Sequence, residues 1–241
     1  MHFTSEKHLA GGVLERAFVL GGVPGLLWTP TSAPAPLILV GHPGGLNQMY
    51  PRLAGRAVHA AEQGFASVTI ELPGSGERPR SVAAEQARAD LRKALDVGDP
   101  VADEIIEALI LPLVEEAVPE WQATLDAVLS LPEICGPVGF SGGVIAVGVR
   151  LAVIDPRIAA AVLFAGSFVP RVTLEEARQI TIPLQVLLQW DDEGNDRQRA
   201  LDLFDAFGSR EKTLHANLGG HTGVPAFEVD ASTRFFARHL S

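Results

Sequence analysis

Gly139-Phe140-Ser141-Gly142-Gly143 stands directly after a short apolar run and directly before a long one. A Gly-x-Ser-x-Gly pattern between a strand and a helix is typical of a nucleophilic serine, because the chain turns sharply at the serine and crowds the residues two positions on either side. Gly139 and Gly143 occupy those crowded positions, where a side chain would clash. The run 144–154 is apolar around its whole circumference, as in a buried helix. The pattern therefore predicts that Ser141 lies at a strand-to-helix corner.

Length and composition indicate one α/β domain over residues 1–241. A hydrophobic content of 47% in 241 residues is enough for a sizeable core. Lysine and arginine number 19 against 29 acidic residues, so the formal net charge is −10. Such a charge argues against a polyanionic partner, and we expect neither nucleic acid nor a membrane among the binding partners.

Cysteine usage and the N-terminal residues suggest a reducing compartment. The single cysteine, Cys135, excludes an internal disulfide framework, and we expect it to be a small core residue rather than a nucleophile. Residues 1–12 contain no long apolar stretch and resemble neither a signal peptide nor a spanning helix. These features predict a cytoplasmic protein, with His2 and His8 in a mobile terminus.

Apolar runs separated by turn residues predict a mostly parallel sheet that begins with an antiparallel hairpin. The hairpin comprises 14–20 and 23–28, split by Gly21-Gly22. Further strands are predicted at 37–40, 66–70, 138–140, 158–164, 184–188 and 212–215, and helices at 51–63, 120–129, 142–154, 196–207 and 228–240. Strands that are apolar on both faces and alternate with helices imply a sheet covered on both sides.

Residues 81–118 interrupt this alternation, because they hold two helix-like segments, 81–95 and 101–114, with no strand between them. They follow the strand 66–70, and the loops after the carboxyl ends of parallel strands form the functional edge of a sheet. The interval is therefore interpreted either as a lid over the site or as an ordinary helical excursion packed on one sheet face.

A serine hydroxyl needs a base to take its proton and an acid to orient that base. His221 is the best-placed base, since it lies in the glycine-rich loop Gly219-Gly220-His221-Thr222-Gly223 after the last predicted strand. For the acid, Asp191-Asp192-Glu193 follows the strand 184–188, beside the place that the histidine loop must reach. We expect Asp192 to hold the imidazole, with Asp191 as the alternative. The chain order is then nucleophile, acid, base.

The same chemistry requires two backbone N–H groups for the oxyanion of a tetrahedral intermediate. Gly142 follows the serine at a predicted helix N-terminus and is the expected first donor. The second is expected from Gly41-His42-Pro43-Gly44-Gly45, in which Pro43 has no N–H. Gly44 is the first choice and Gly45 the second, while His42 is expected to brace the loop.

With these motifs in order, the chain resembles the α/β-hydrolase superfamily over nearly its full length. The strings Leu72-Pro73-Gly74-Ser75-Gly76-Glu77-Arg78 and Gln189-Trp190-Asp191-Asp192-Glu193 resemble the dienelactone-hydrolase-like and small serine esterase branch. In the superfamily the acid usually closes a Gly-x-x-Asp string, and here Gln189 replaces that glycine. Dienelactone hydrolases use a cysteine nucleophile, so dienelactone activity does not carry over to Ser141. Gly142, where such enzymes often have a larger residue, leaves room beside the serine.

Together these features predict a serine hydrolase that cleaves a small-molecule carboxylic ester, lactone or thioester. An acyltransferase or cyclase on the same scaffold is one alternative, in which a substrate hydroxyl or amine intercepts the acyl enzyme. A non-catalytic binding protein that retains the fold is the other. We expect neither a metal nor a cofactor, because no ligand spacing and no phosphate-binding glycine loop of the Walker type is present. Substrate identity and oligomeric state stay open.

Overall fold

The computed structural model describes residues 1–98 and 101–240, which form one mixed sheet of nine strands. The strands are β1 His2–His8, β2 Leu14–Leu20, β3 Val23–Thr29, β4 Ala35–Gly41, β5 Ala66–Ile70, β6 Ile134–Gly142, β7 Ile158–Phe164, β8 Leu184–Gln189 and β9 Lys212–Asn217. Their order across the sheet is β1-β2-β3-β5-β4-β6-β7-β8-β9. β1, β2, β3 and β5 pair antiparallel in turn, and all other neighbours pair parallel. The predicted antiparallel start and parallel continuation are confirmed.

Helices cover both faces of this sheet. They are α1 Leu46–Glu62, α2 Val82–Val97, α3 Asp103–Leu129, α4 Ile145–Ile154, α5 Arg171–Ala177, α6 Arg197–Ala206 and α7 Phe227–His239. Buried apolar side chains form two clusters, one between the sheet and α1 and α7, the other between the sheet and α3, α4 and α6. In the described part of the chain, no helix combines the length and apolar character that crossing a membrane requires.

The first residues form a strand, not the mobile terminus expected from the sequence. β1 pairs antiparallel with β2, so that His2 lies opposite Val19 and His8 opposite Leu14. Six of its seven residues are exposed, and the apolar alternation of a half-buried strand is therefore missing. Backbone hydrogen bonds to the edge of β2 hold this segment in place. The sequence did not predict the strand because such bonds leave no pattern in the side chains.

Helix α3 is longer than the sequence pattern indicates. It continues through Pro112 and Pro119 and includes the separately predicted helix 120–129. Proline costs roughly 3 kcal/mol in a helix interior, so local propensity favours a break. One face of α3 is buried along its length, from Ile106 to Val128, and this packing outweighs the local cost.

Within the described part of 81–118, α3 packs on the sheet and α2 packs on α3. Ile106, Ile110 and Val114 of α3 belong to the larger apolar core, and α2 lies against α3. Residues 99 and 100 of this interval lie outside the described residues. This burial favours the packed helical excursion over the lid.

Strand β6 directs alternate side chains to opposite faces of the sheet. Phe140 is buried on the face of α3, where its ring meets Trp121 edge-on with centroids 6.3 Å apart. A Cβ on Gly139 would instead approach Phe236 of α7. Ser141, two residues further, therefore faces the side covered by α1 and α7.

We expect Gly139→Ala to destabilise the fold. A Cβ there would lie 2.6 Å from Cε1 of Phe236, and overpacking a tight core costs about 1–3 kcal/mol. Urea denaturation measures the free energy of unfolding. Gly55→Ala in α1 is the matched control, because its Cβ would meet open space and alanine favours a helix by up to about 1 kcal/mol. An unchanged unfolding free energy for Gly139→Ala would contradict this account of the packing.

Candidate active site

Ser141 lies near the carboxyl end of β6, in the middle of the parallel part of the sheet. Its register partners are Val40 in β4 and Val162 in β7. The residue is 5% exposed, so its hydroxyl is accessible only through a confined space. The prediction that this serine stands at the end of a buried strand and before a helix is confirmed.

The turn after Ser141 is made by two glycines. Gly142 has φ +77° and Gly143 has φ +74°, in the left-handed region that favours glycine. The positive angles therefore follow the serine, and α4 begins at Ile145, three residues later than predicted. A Cβ on Gly143 would lie 2.9 Å from Cα of Gly41, so the absence of a side chain also lets the end of β4 approach the corner.

The Ser141 hydroxyl accepts a hydrogen bond from Arg56 of helix α1. Nη2 of Arg56 lies 2.7 Å from Oγ and 3.5 Å from the Ser141 carbonyl oxygen. Within residues 1–98 and 101–240, no hydrogen bond joins Oγ to the imidazole of His221. Sequence reasoning missed Arg56, because an arginine on an amphipathic helix is usually a solvated charge and nothing near it in sequence points to the serine.

A hydrogen bond joins His221 and Asp192, the predicted base and acid. Nδ1 of His221 donates to Oδ2 of Asp192 over 2.8 Å. The buried Asp192 carboxylate also accepts from the N–H of Gly194 at 3.1 Å and from Nδ2 of Asn195 at 2.7 Å. Asp191 is exposed and accepts a backbone N–H of the histidine loop instead. The structure thus brings Asp192, and not Asp191, to the imidazole.

The loop that carries His221 is held from two sides. Nε2 of Gln189, which stands where related hydrolases have glycine, donates to the carbonyl of Gly220 over 3.2 Å. The His221 ring packs edge-on against Phe164, with centroids 5.6 Å apart. Since Nδ1 is engaged by Asp192, Nε2 of the ring is left to receive a proton from a serine.

Hydrogen bonds to Ile70 at the end of β5 and to Glu71, the next residue, hold the loop between β4 and α1 in place. Nε2 of His42 donates to the Ile70 carbonyl over 2.9 Å, so the expected bracing role of His42 is confirmed. Burial lowers the pKa of His42, and its hydrogen bond to the backbone of Ile70 opposes that shift. The Glu71 carboxylate accepts the N–H of Leu46 at 3.0 Å and so stabilises the start of α1.

Ser141 and His221 line one cavity of about 500 Å³, a size that suits a small organic ligand. The cavity lies between the sheet and helices α1 and α7. Its apolar wall is formed by Ile38, Val40, Val162, Leu187 and Phe236. Arg52 and Arg56 supply positive charge along α1. None of its lining residues comes from the described part of 81–118.

Gly44 and Gly45, the glycines expected to supply the second oxyanion donor, line a different cavity from Ser141 in the described structure. Gly41, His42 and Pro43 line the cavity of Ser141, together with Gly142. Gly44 and Gly45 line a neighbouring cavity next to Gly74 to Gly76. Among the described residues, Gly142 is therefore the one predicted oxyanion donor that lines the same cavity as Ser141.

Two other sequence expectations concern metals and cysteine. In the part of the chain that the structure describes, no group of three or more His, Cys, Asp and Glu side chains is arranged to hold a metal ion. Cys135 is half-buried at the start of β6, and so is more accessible than the core position we expected.

Comparison with known proteins finds similarity to solved structures. No protein-family model and no curated protein matches this sequence. A cold-adapted esterase from an Arctic intertidal metagenomic library is 28% identical, with full coverage of both chains and a TM-score of 0.77. An acetyl xylan esterase from Paenibacillus sp. R4 is 15% identical over 99% of this chain and 88% of that one, with a TM-score of 0.65. A dienelactone hydrolase from Anabaena variabilis is 17% identical over 98% and 99%, with a TM-score of 0.58.

The similarities to the acetyl xylan esterase and the dienelactone hydrolase establish the fold. The similarity to the cold-adapted esterase extends to the sequence of the whole chain. They agree with the observed sheet, in which an antiparallel start leads into parallel strands and the serine follows a central strand. The resemblance drawn from the sequence motifs is thereby confirmed. This chain therefore has the α/β-hydrolase fold, which it shares with an esterase that is 28% identical over its whole length.

Proposed function

We propose that this protein hydrolyses a small carboxylic ester, lactone or thioester through an acyl-enzyme on Ser141. The observation that carries the proposal is the shared cavity, in which the serine and a histidine already bonded to a buried carboxylate face the same space. The full-length likeness to a cold-adapted esterase supports ester hydrolysis in particular. The cytoplasmic location stays a prediction from the sequence.

In the proposed first step, Oγ of Ser141 attacks the ester carbonyl and passes its proton to Nε2 of His221. Asp192 accepts the Nδ1–H bond, fixes the tautomer and stabilises the imidazolium that forms. His221 then protonates the leaving alkoxide or thiolate. A water molecule, deprotonated by the same imidazole, attacks the acyl-enzyme and releases the acid.

The Ser141 hydroxyl must turn from Arg56 toward His221 before attack. Catalytic hydrogen bonds are often long in unliganded enzymes and tighten when substrate binds. A rotation about χ1 of a serine is a low-barrier change between staggered positions. The proposal therefore includes a resting state, with Oγ on Arg56, and a reactive state, with Oγ on His221.

Charge on the carbonyl oxygen would be received by the N–H of Gly142, at the corner after the nucleophile. Losing one such donor typically costs about 2.7–4 kcal/mol of barrier. The role of Gly44 as second donor stays a prediction, and it requires that its N–H face the cavity of Ser141.

The apolar wall of the cavity favours a substrate with a short hydrocarbon acyl group. Ile38, Val162 and Leu187 would contact that group next to Ser141. Each buried methylene contributes about 0.8 kcal/mol to binding until the cavity is filled. Acyl transfer needs the exclusion of water, and no lining residue from the described part of 81–118 provides it, so hydrolysis is the better-supported outcome.

A fluorophosphonate probe and a series of p-nitrophenyl esters test the proposal. We expect stoichiometric labelling at Ser141, because the probe reacts with an activated serine. Turnover should rise with acyl length while the chain fits the cavity and fall beyond it. Folded protein that reacts with neither the probe nor any ester or lactone would favour the non-catalytic binding alternative.

A further inference from the structure

Arg56 brings a positive charge into contact with the nucleophile. It lies in the third turn of α1, and its Nη2 is 2.7 Å from Oγ of Ser141. Arginine side chains usually extend into solvent, whereas this one contacts a serine that is almost fully buried. Arg56 and Ser141 both line the catalytic cavity, so the guanidinium faces the space in which a substrate carbonyl would react.

Within residues 1–98 and 101–240, this guanidinium has no acidic partner. Its side-chain hydrogen bonds in the described chain go to the two oxygens of Ser141, and it forms no ion pair with a carboxylate there. Burial, together with the charge of Arg52, lowers the pKa of Arg56 to about 10. The group is thus still charged at neutral pH, and a partly buried charge with no carboxylate beside it loses some of its solvation free energy. An anion beside Oγ would offset that loss.

The same group lies against the corner that receives the oxyanion. Nη1 is 3.2 Å and Nη2 3.5 Å from the position that a Cβ on Gly142 would occupy. A side chain at 142 would therefore press on the guanidinium, and glycine leaves it room. Arg56 consequently lies beside both the Ser141 hydroxyl and residue 142, while Gly44 lines another cavity.

We propose that Arg56 is a catalytic residue that supplies a charged hydrogen-bond donor to the oxyanion. The inference rests on the proposed function. As the Oγ–C bond forms, the hydroxyl proton passes to His221, and the carbonyl π electrons move onto the carbonyl oxygen. Arg56 transfers its hydrogen bond from Oγ to that oxygen, beside the N–H of Gly142. When the electrons return and the bond to the leaving group breaks, His221 protonates the leaving group.

The test compares Arg56→Gln and Arg56→Lys with the parent enzyme on p-nitrophenyl butyrate. We expect kcat of Arg56→Gln to fall by about 10²- to 10³-fold, with KM little changed, because the donor acts in the transition state. Arg56→Lys retains the charge and should recover part of kcat. Arg92→Gln, on the exposed face of α2, is the control for loss of an arginine. Thermal melting checks that each variant is folded.

A second measurement separates catalysis from simple support of the serine. Butylboronic acid forms a tetrahedral anionic adduct with an active-site serine, and its affinity should fall in Arg56→Gln by the same factor as kcat. Undiminished boronate affinity would overturn the inference, as would unchanged kcat. A loss confined to the KM of esters that carry a carboxylate would also overturn it and assign Arg56 to anion binding instead. Ser141→Ala tests the proposed function independently, because its outcome does not depend on Arg56.

Discussion

Ser141→Ala should abolish ester hydrolysis while leaving the fold intact. Removing Oγ removes the atom that attacks the carbonyl, and kcat is expected to fall on the order of 10⁴- to 10⁶-fold. The change deletes a single oxygen at a strand position, and alanine fits the same backbone. Arg56 loses a hydrogen-bond acceptor, and we expect a stability cost of about 1–3 kcal/mol from that loss. Hydrolysis of p-nitrophenyl butyrate and thermal melting measure the two effects.

The control for this prediction is Ser130→Ala, at the exposed end of α3, where the hydroxyl donates to a backbone carbonyl of the same helix. It should retain parental turnover. Fluorophosphonate labelling should disappear in Ser141→Ala and persist in Ser130→Ala. Turnover at the parental rate by folded Ser141→Ala would exclude the acyl-enzyme mechanism.

Sequence reasoning placed Ser141 at its corner because the constraint on that position is local. A corner between a strand and a helix crowds positions 139 and 143, and the structure shows a close approach of Phe236 at the first and Gly41 at the second. The order of Ser141, Asp192 and His221 follows from the topology of a parallel sheet, in which the carboxyl ends of successive strands share one edge. Local rules and topology therefore predicted these residues.

The choice between Asp191 and Asp192 depended on a distance that the sequence does not contain. Both residues follow β8, and turn geometry decides which carboxylate points at the imidazole. The N–H of Gly194 and the side chain of Asn195 hold Asp192 beneath His221, so its carboxylate is buried there. Asn195 was visible in the sequence only as another polar loop residue.

Arg56 was missed for a different reason. Its helical pattern is that of any amphipathic helix, and its partner is 85 residues away in sequence. The strand β1 was missed because its pairing uses backbone groups, and the continuity of α3 because packing outweighs two prolines. Each of these features arises from long-range contacts, which residue patterns in one sequence do not report.

Replacing Asp192, the proposed triad acid, is the second change with a very large expected effect. In Asp192→Asn the carboxylate becomes an amide, which no longer favours the tautomer with the proton on Nδ1 of His221, and the imidazolium loses its counter-charge. We expect kcat to fall by about 10⁴-fold, as for an orienting carboxylate in a serine triad. Asp191→Asn is the matched control, because Asp191 is the neighbouring residue and is exposed.

Steady-state kinetics of both variants on the same ester, with fluorophosphonate labelling rates, measure this prediction. Asp192→Asn should label slowly, since the serine is then poorly activated, while Asp191→Asn should label at the parental rate. Asp192 also accepts bonds from Gly194 and Asn195, so some stability loss is expected, and melting temperatures separate it from the kinetic effect. A large loss in Asp191→Asn combined with near-parental activity in Asp192→Asn would reverse the assignment. If Asp192→Asn loses activity and Asp191→Asn does not, the buried Asp192 carboxylate, which accepts bonds from three donors, must act on Ser141 through His221.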